Sequence, residues 1–334
     1  MKKKWGIVLR VAISLISIAG LVFALRGKMG EAFSIIKTGF QWEWFFLAVV
    51  VNFIALAVIS WRLQLVFNVQ GVKLGFLKTY YLSIVGLFFT LFFPSSLGGD
   101  VAKGYYAYQY SGKKLGSLSG VVLDRLLGFV TVVIISITAF AYYSQHHLAS
   151  PLVSRFLYGG LGILIFGAVF FSNPRFAQVF QFFSFLVPSA KWRKNLADFY
   201  HSLRSLLDHK RVLASCLAIS FIGQFLYFVD VYLLARSLEI DISLWPFFVF
   251  TPLVAFMSLA PSVSGLGVRE AGFVFFFKGL MTSQKAFALS IVYDILFYGT
   301  AIFAGLIFAF KGGLRKDIIH DIQEVEKLEE VGHD

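Results

Sequence analysis

The sequence predicts an all-α polytopic membrane protein of about six transmembrane helices plus two re-entrant helical hairpins in an inverted-repeat arrangement. Three observations carry that expectation. Hydrophobic residues make up 58% of the 334 positions and charged residues only 14%, with a mean hydropathy of +0.77, a balance that a soluble domain of this size does not carry. The apolar residues fall in runs that match the ~20 residues needed to cross a ~30 Å hydrocarbon layer. An unusual interruption of those runs also occurs twice.

Taken in order, spans are expected near 5–25, 43–66, 117–144, 153–172, 212–236 and 286–310. The first follows Lys2-Lys3-Lys4 and resembles a secretory signal. Its length and the poor cleavage context Ala24-Leu25-Arg26 identify it instead as a retained anchor. Two shorter runs, 77–93 and 246–260, end at the interruptions. The first interruption reads Phe93-Pro94-Ser95-Ser96-Leu97-Gly98-Gly99-Asp100, with Asp124-Arg125 following. The second reads Ala260-Pro261-Ser262-Val263-Ser264-Gly265-Leu266-Gly267-Val268-Arg269-Glu270, with Asp294 following.

If each interruption is a hairpin that leaves on the side it entered, the cytoplasmic segments are 1–4, 62–78, 103–114, 174–211 and 311–334, holding 20 Lys/Arg. The outer loops then hold seven: Arg26, Lys28, Lys37, Arg155, Arg236, Lys278 and Lys285. That asymmetry predicts cytoplasmic N- and C-termini of a multi-pass protein of the cell (inner) membrane. It also makes 43–144 and 212–310 repeats of opposite sense within a single domain, 1–316, followed by an acidic tail, 317–334. The open alternative is that 77–112 and 246–281 each cross completely.

A chain that breaks at membrane depth must bury the freed backbone groups or bring them to a wet cavity. Pro94 and Pro261 stop the incoming helices, Ser95 and Ser262 supply hydroxyls, and Gly98, Gly99, Gly265 and Gly267 permit tight turns. Outgoing helices starting near Val101 and Val268 would point their N-termini, with free N–H groups, at the membrane interior, which suits an anion. Paired interruptions in two halves of a membrane protein mark transport sites; two ordinary helical turns are the bland alternative. Asp100, Lys103, Asp124, Arg125, Arg269, Glu270 and Asp294 lie in or beside apolar runs, where an unpaired charge costs ~2.5–3.5 kcal/mol or more. Arg125 and Arg269 suit bidentate phosphate binding. The four acids would hold those guanidiniums or carry a coupling proton, and a purely structural ion network remains the alternative.

These stretches, together with Trp61-Arg62 and the Asp124-Arg125-x-x-Gly128 motif, resemble the lysylphosphatidylglycerol synthase transmembrane, or flippase-like, family, over nearly the whole chain. The resemblance implies movement of a phospholipid or lipid-linked precursor between leaflets. Larger members add a soluble aminoacyl transferase domain. This chain has only a short tail after 311, so the lysyltransferase reaction is not expected of it. Open alternatives are a membrane transferase using Asp100 or Asp124 as base and Arg269 as clamp, and an accessory subunit of envelope synthesis.

The 40 Phe residues suit a greasy route for acyl chains, although ordinary lipid-facing surface accounts for most of them. The stretch 174–211 reads as an amphipathic surface segment, and 317–334 as a peripheral helix striped by Ile318, Ile322, Val325 and Leu328. The expected partner is a membrane lipid with an anionic headgroup; a homo-oligomer or a lipid-synthesising enzyme are further candidates. Nucleic-acid binding is not expected despite a net charge of +12, because the basic residues sit in short loops. Neither a cofactor nor a metal is expected: there is no phosphate-loop sequence, the His spacings suit no metal, and Cys216 is a lone cysteine.

Overall fold

Each apolar run of the described chain forms a helix, because in lipid only intrahelical pairing satisfies the backbone. The computed structural model describes residues 29–92, 98–146, 202, 204–258, 262 and 265–310, with 155, 159 and 162 as isolated positions. The expected spans 5–25 and 153–172, both Pro-Ser dipeptides apart from Ser262, Ser95, most of 174–211 and the acidic tail lie outside the described residues. Among those residues the order is α1 Met29–Thr38, α2 Trp42–Val69, α3 Phe76–Phe92, α4 Gly98–Ser111, α5 Lys114–His146, α6 Lys210–Ser237, α7 Trp245–Met257, α8 Val268–Phe277 and α9 Ser283–Phe310, with no strand. Among the described residues, four stretches are long and apolar enough to cross a membrane: Trp42–Val69, Lys114–Tyr142, Lys210–Ser237 and Ser283–Phe310.

One element departs from expectation. Residues 29–38, read as part of an outer loop, form α1. Its buried Ala32 packs on Phe287 of α9, and Gln284 donates to the Glu31 carboxylate (2.8 Å). The apolar face of this segment was too short to register as a span.

The centre of the fold is the pair α2 and α6, which run antiparallel. The Gln41 N–H donates to the Ser237 carbonyl at one end (2.8 Å), Gly223 packs against Ile59 further along, and Arg62 reaches Ser220 beyond that (2.8 Å). Both helices have 28 residues and both end alike. In α2, Val72 N–H reaches back to Phe67 O (2.8 Å) with Gly71 at φ 72°; in α6, Ile240 N–H reaches back to Ala235 O (3.1 Å) with Glu239 at φ 54°. This is the glycine-type helix stop, with Glu239 taking a left-handed conformation where α2 uses glycine. The step of 168 from Trp42 to Lys210 also takes Gly71 to Glu239, Asn52 to Ser220 and Arg62 to Asp230.

Each long helix pair encloses a short hairpin. At ~1.5 Å per residue, the 17 residues of α3 and 14 of α4 reach ~25 and ~21 Å, and the 13 of α7 and 10 of α8 reach ~20 and ~15 Å, all short of a ~30 Å core. The first hairpin is held by close backbone approach: Gly86 lies against Gly99 and the stem of Lys103, and Lys78 sits over the Tyr110 ring (5.7 Å) where the two helices meet solvent. The second is held by aromatic contacts, Phe250 on Phe276 (6.5 Å) and Phe247 on Phe277 (5.3 Å). The two open at opposite ends of the bundle. The mouth of the first lies beside the end of α2, where Lys113 approaches Gly71, whereas the mouth of the second lies beside the end of α5, where Tyr142 meets Trp245 (4.9 Å).

Candidate functional site

Adjacent residues on a helix point ~100° apart, and this separates two dipeptides read together in the sequence. Trp61 faces outward, 52% exposed, while Arg62 is buried. Asp124 turns to α2 and Arg125 to α4. The Arg62 Nε meets the Asp124 Oδ1 at 2.7 Å and its Nη1 donates to the Ser220 hydroxyl at 2.8 Å. The sequence reading puts Arg62 among the charges of the cytoplasmic segment 62–78; the structure corrects this, placing it inside the bundle as the bridge between α2, α5 and α6.

Arg125 belongs to a more open group. Its Nε meets the Asp100 Oδ2 at 2.8 Å, and the Asp100 Oδ1 accepts from Lys103 at 3.1 Å. All three side chains are partly exposed, between 20% and 28%. Asp100 stands in the first turn of α4, so the helix N-terminus and two cations converge on one carboxylate. Gly98 and Gly99 are buried at the start of that helix. A side chain at Gly99 would collide with the Gly86 carbonyl and Thr90 Oγ1.

The second hairpin is drier. Gly265 (φ 82°) and Gly267 (φ 83°) turn the chain into α8 in a conformation other residues seldom adopt. The Gly265 carbonyl accepts from Arg269 N–H (2.9 Å) and the Gly267 carbonyl from Ala271 N–H (3.1 Å). The Arg269 guanidinium is enclosed: Nη2 meets Asp294 Oδ1 at 2.5 Å and the Tyr298 hydroxyl at 3.3 Å. The rings of Phe297, Tyr293 and Tyr298 lie 4.9, 5.2 and 5.6 Å from its centre. Glu270 lies within reach of Asp294, yet its Oε2 is buried with no partner among the described residues, as is the Ser262 hydroxyl.

The structure therefore gathers the candidate residues into three groups: Arg62 with Asp124; Asp100 with Lys103 and Arg125; and Arg269 with Asp294 and Glu270. Three of the four acids hold arginines. Arg125 also lies over the Phe129 ring (6.0 Å), which stacks on Phe256 at the end of α7 (6.0 Å), an aromatic contact from the first half to the second. Sequence reading missed Asp230 on α6, 2% exposed with Oδ1 unpartnered, and the Tyr227–Tyr293 hydroxyl pair (3.0 Å). Asp230 carries the same signal as Asp294, an acid within an apolar run, but no Pro-Ser interruption precedes it to draw notice. No group of three metal-ligating side chains occurs among the described residues.

Comparison with known proteins places these features in context. A family model described as the lysylphosphatidylglycerol synthase TM region matches residues 7–305. A protein described as a UPF0104 membrane protein, from Methanothermobacter thermautotrophicus, is 25% identical over 274 residues, covering 75% of this chain and 79% of the relative.

Proposed function

The chain belongs to the lysylphosphatidylglycerol synthase TM region family, a family of membrane proteins, and from that premise we propose that it moves a phospholipid or lipid-linked precursor with a phosphate-bearing headgroup between leaflets. The observation that carries this reading is the group at the first hairpin. Lys103 and Arg125 converge on the single carboxylate of Asp100, at a helix N-terminus and with partial access. Phosphate oxygens suit that arrangement, since a guanidinium fork binds them in two-point fashion and the helix end adds N–H donors.

The apolar end of a lipid also has a place. A groove of about 430 Å³ runs between α2 and α3, lined by Ile54, Ala57, Val58, Trp61, Gln64 and Phe76. It takes one acyl chain sideways from the bilayer while the headgroup enters the bundle.

The hairpins of opposite sense supply the means of exposing one site to either side in turn. The end carrying Lys73, Lys78, Lys113, Lys114, Arg204, Lys210 and Arg211 against Asp208 is the cytoplasmic one. The opposite end balances Lys37, Arg236, Lys278 and Lys285 against Glu31, Glu43, Glu239 and Asp241. Cysteines placed at exposed Lys73 and Lys113 are expected to react only with cytoplasmic reagent, and one at exposed Thr282 only from outside; the native Cys216 is buried. Labelling of positions 73 and 113 from opposite faces would replace the re-entrant hairpin with a complete crossing.

Activity is tested with purified protein in liposomes carrying fluorescent phosphatidylglycerol, quenched from outside. Wild-type protein is expected to expose inner-leaflet lipid, and Arg125→Ala to slow this at least ~10-fold while inserting normally, the loss of a charged hydrogen-bond pair being worth ~1.5–3 kcal/mol. An unchanged rate in Arg125→Ala would move the headgroup elsewhere.

A further inference from the structure

The two halves differ in charge in a way their matched backbones do not require. In the first, Arg62 of α2 answers Asp124 of α5. The 168-residue step that relates α2 to α6 puts Asp230 at the position of Arg62, and the acid that follows the second interruption, as Asp124 follows the first, is Asp294. A buried cation has thus been exchanged for a buried acid. Asp294 takes its counter-charge from Arg269, and Glu270 adds a further carboxyl beside Asp294, close enough for its charge to act on the same guanidinium. One positive charge faces two carboxyls in an enclosed, aromatic-walled space, so the group reaches neutrality when one carboxyl holds a proton. Charges without partners at this depth are too costly to keep otherwise.

Two further observations point to a mobile proton. The Glu270 Oε2 is buried without a partner among the described residues, as is the Oδ1 of Asp230. Near Asp230 and Asp294 lie two touching hydroxyls. Tyr227 and Tyr293 are 3.0 Å apart, Asp230 is close enough for its charge to act on both, and Tyr293 adjoins Asp294 and Arg269.

We infer that Glu270 and Asp294 form a proton-binding pair, joined through Tyr293 and Tyr227 to Asp230, whose loading and unloading couples lipid movement to a proton gradient. A proton from water on one side forms an O–H bond on the Glu270–Asp294 pair; on release to water on the other side that bond breaks and the pair returns to its charged state beside Arg269. The phosphate-bearing headgroup is then bound by the first hairpin, and the second supplies the driving ion. The ionisable groups facing the pair are Arg269 from α8, Tyr293 and Tyr298 from α9, and Tyr227 and Asp230 from α6. The sequence of α7 contains none. On α5, Asp124 and Arg125 pair with Arg62 and Asp100.

This inference rests on the lipid-transport reading, and its test separates the two. Infrared difference spectra of the full-length protein, recorded between acid and alkaline buffer, are expected to show the carbonyl stretch of a protonated carboxylic acid. Glu270→Gln and Asp294→Asn should each alter that band, and its absence from wild-type protein overturns the proton site whatever the transport result. In the fluorescent phosphatidylglycerol assay, an imposed pH gradient is expected to change the wild-type rate several-fold. In Glu270→Gln, the ratio of rates with and without the gradient falls to one. Tyr293→Phe keeps the ring over Arg269 but removes the relay hydroxyl, so it should retain the infrared band and lose most of the gradient response; a full response removes the tyrosines from the path. Lipid movement that ignores the gradient in wild-type protein overturns coupling and leaves transport standing. An intact band with no lipid movement keeps the proton site and overturns the transport reading, and the coupling with it.

Discussion

Arg62→Met is expected to remove most of the folded protein from detergent extracts, and Arg62→Met/Asp124→Leu to restore much of it. Arg62 is 3% exposed and its Nε lies 2.7 Å from Asp124. Deleting one member leaves the other charge buried without its counter-ion, at ~3–5 kcal/mol, a large share of the ~5–15 kcal/mol that typically holds a protein folded. Replacing both members with apolar side chains of similar volume avoids that penalty, because the desolvation of the two charges disappears along with their attraction. Asp124→Asn keeps an acceptor for the guanidinium and should fall between. The yield of monodisperse protein on size exclusion measures all three. A wild-type yield from Arg62→Met would mean that water reaches this pair and that its role in joining α2, α5 and α6 is minor.

Gly99→Ala is expected to be the most damaging of the glycine-to-alanine changes in the first hairpin. The added methyl meets backbone, the Gly86 carbonyl, together with Thr90 Oγ1. No side-chain rotation relieves that contact, so α3 and α4 must part, an overpacking cost of ~1–3 kcal/mol. Asp100 is the next residue, so parting the helices also draws its carboxylate from Arg125, and lipid movement should fall along with thermal stability. Gly86→Ala meets the Lys103 stem at 2.6 Å and the Gly99 carbonyl at 3.0 Å; the flexible stem yields, and a smaller loss follows. Gly30 and Gly279, with nothing within 4 Å, serve as neutral controls. Thermal unfolding in detergent ranks the four, and equal melting of Gly99→Ala and Gly279→Ala would show that the hairpin is not closely packed.

The long helices, the short runs before each interruption and the candidate charges were legible because each rests on a local property: apolar length, a glycine-rich turn, an ionisable group in an apolar stretch. The observed bounds of α2, α6 and α9 lie within a few residues of the expected spans. α1 was not legible, since ten amphipathic residues become a helix only against a neighbour, here Phe287 of α9. Nor was the role of Arg62, which lies near the end of its apolar run and reads as a loop charge until α5 and α6 close over it.

By itself the sequence determined that this is a helical membrane protein, where its chain breaks, and which charges must find partners inside it, because the cost of leaving polar groups in lipid acts residue by residue. The partners were decided only by the tertiary structure. Asp124 and Arg125 are neighbours in the chain yet face different helices, and Asp230 gains its meaning only beside Tyr227 and Tyr293. Helix rotation and packing set those distances, not any one segment's composition.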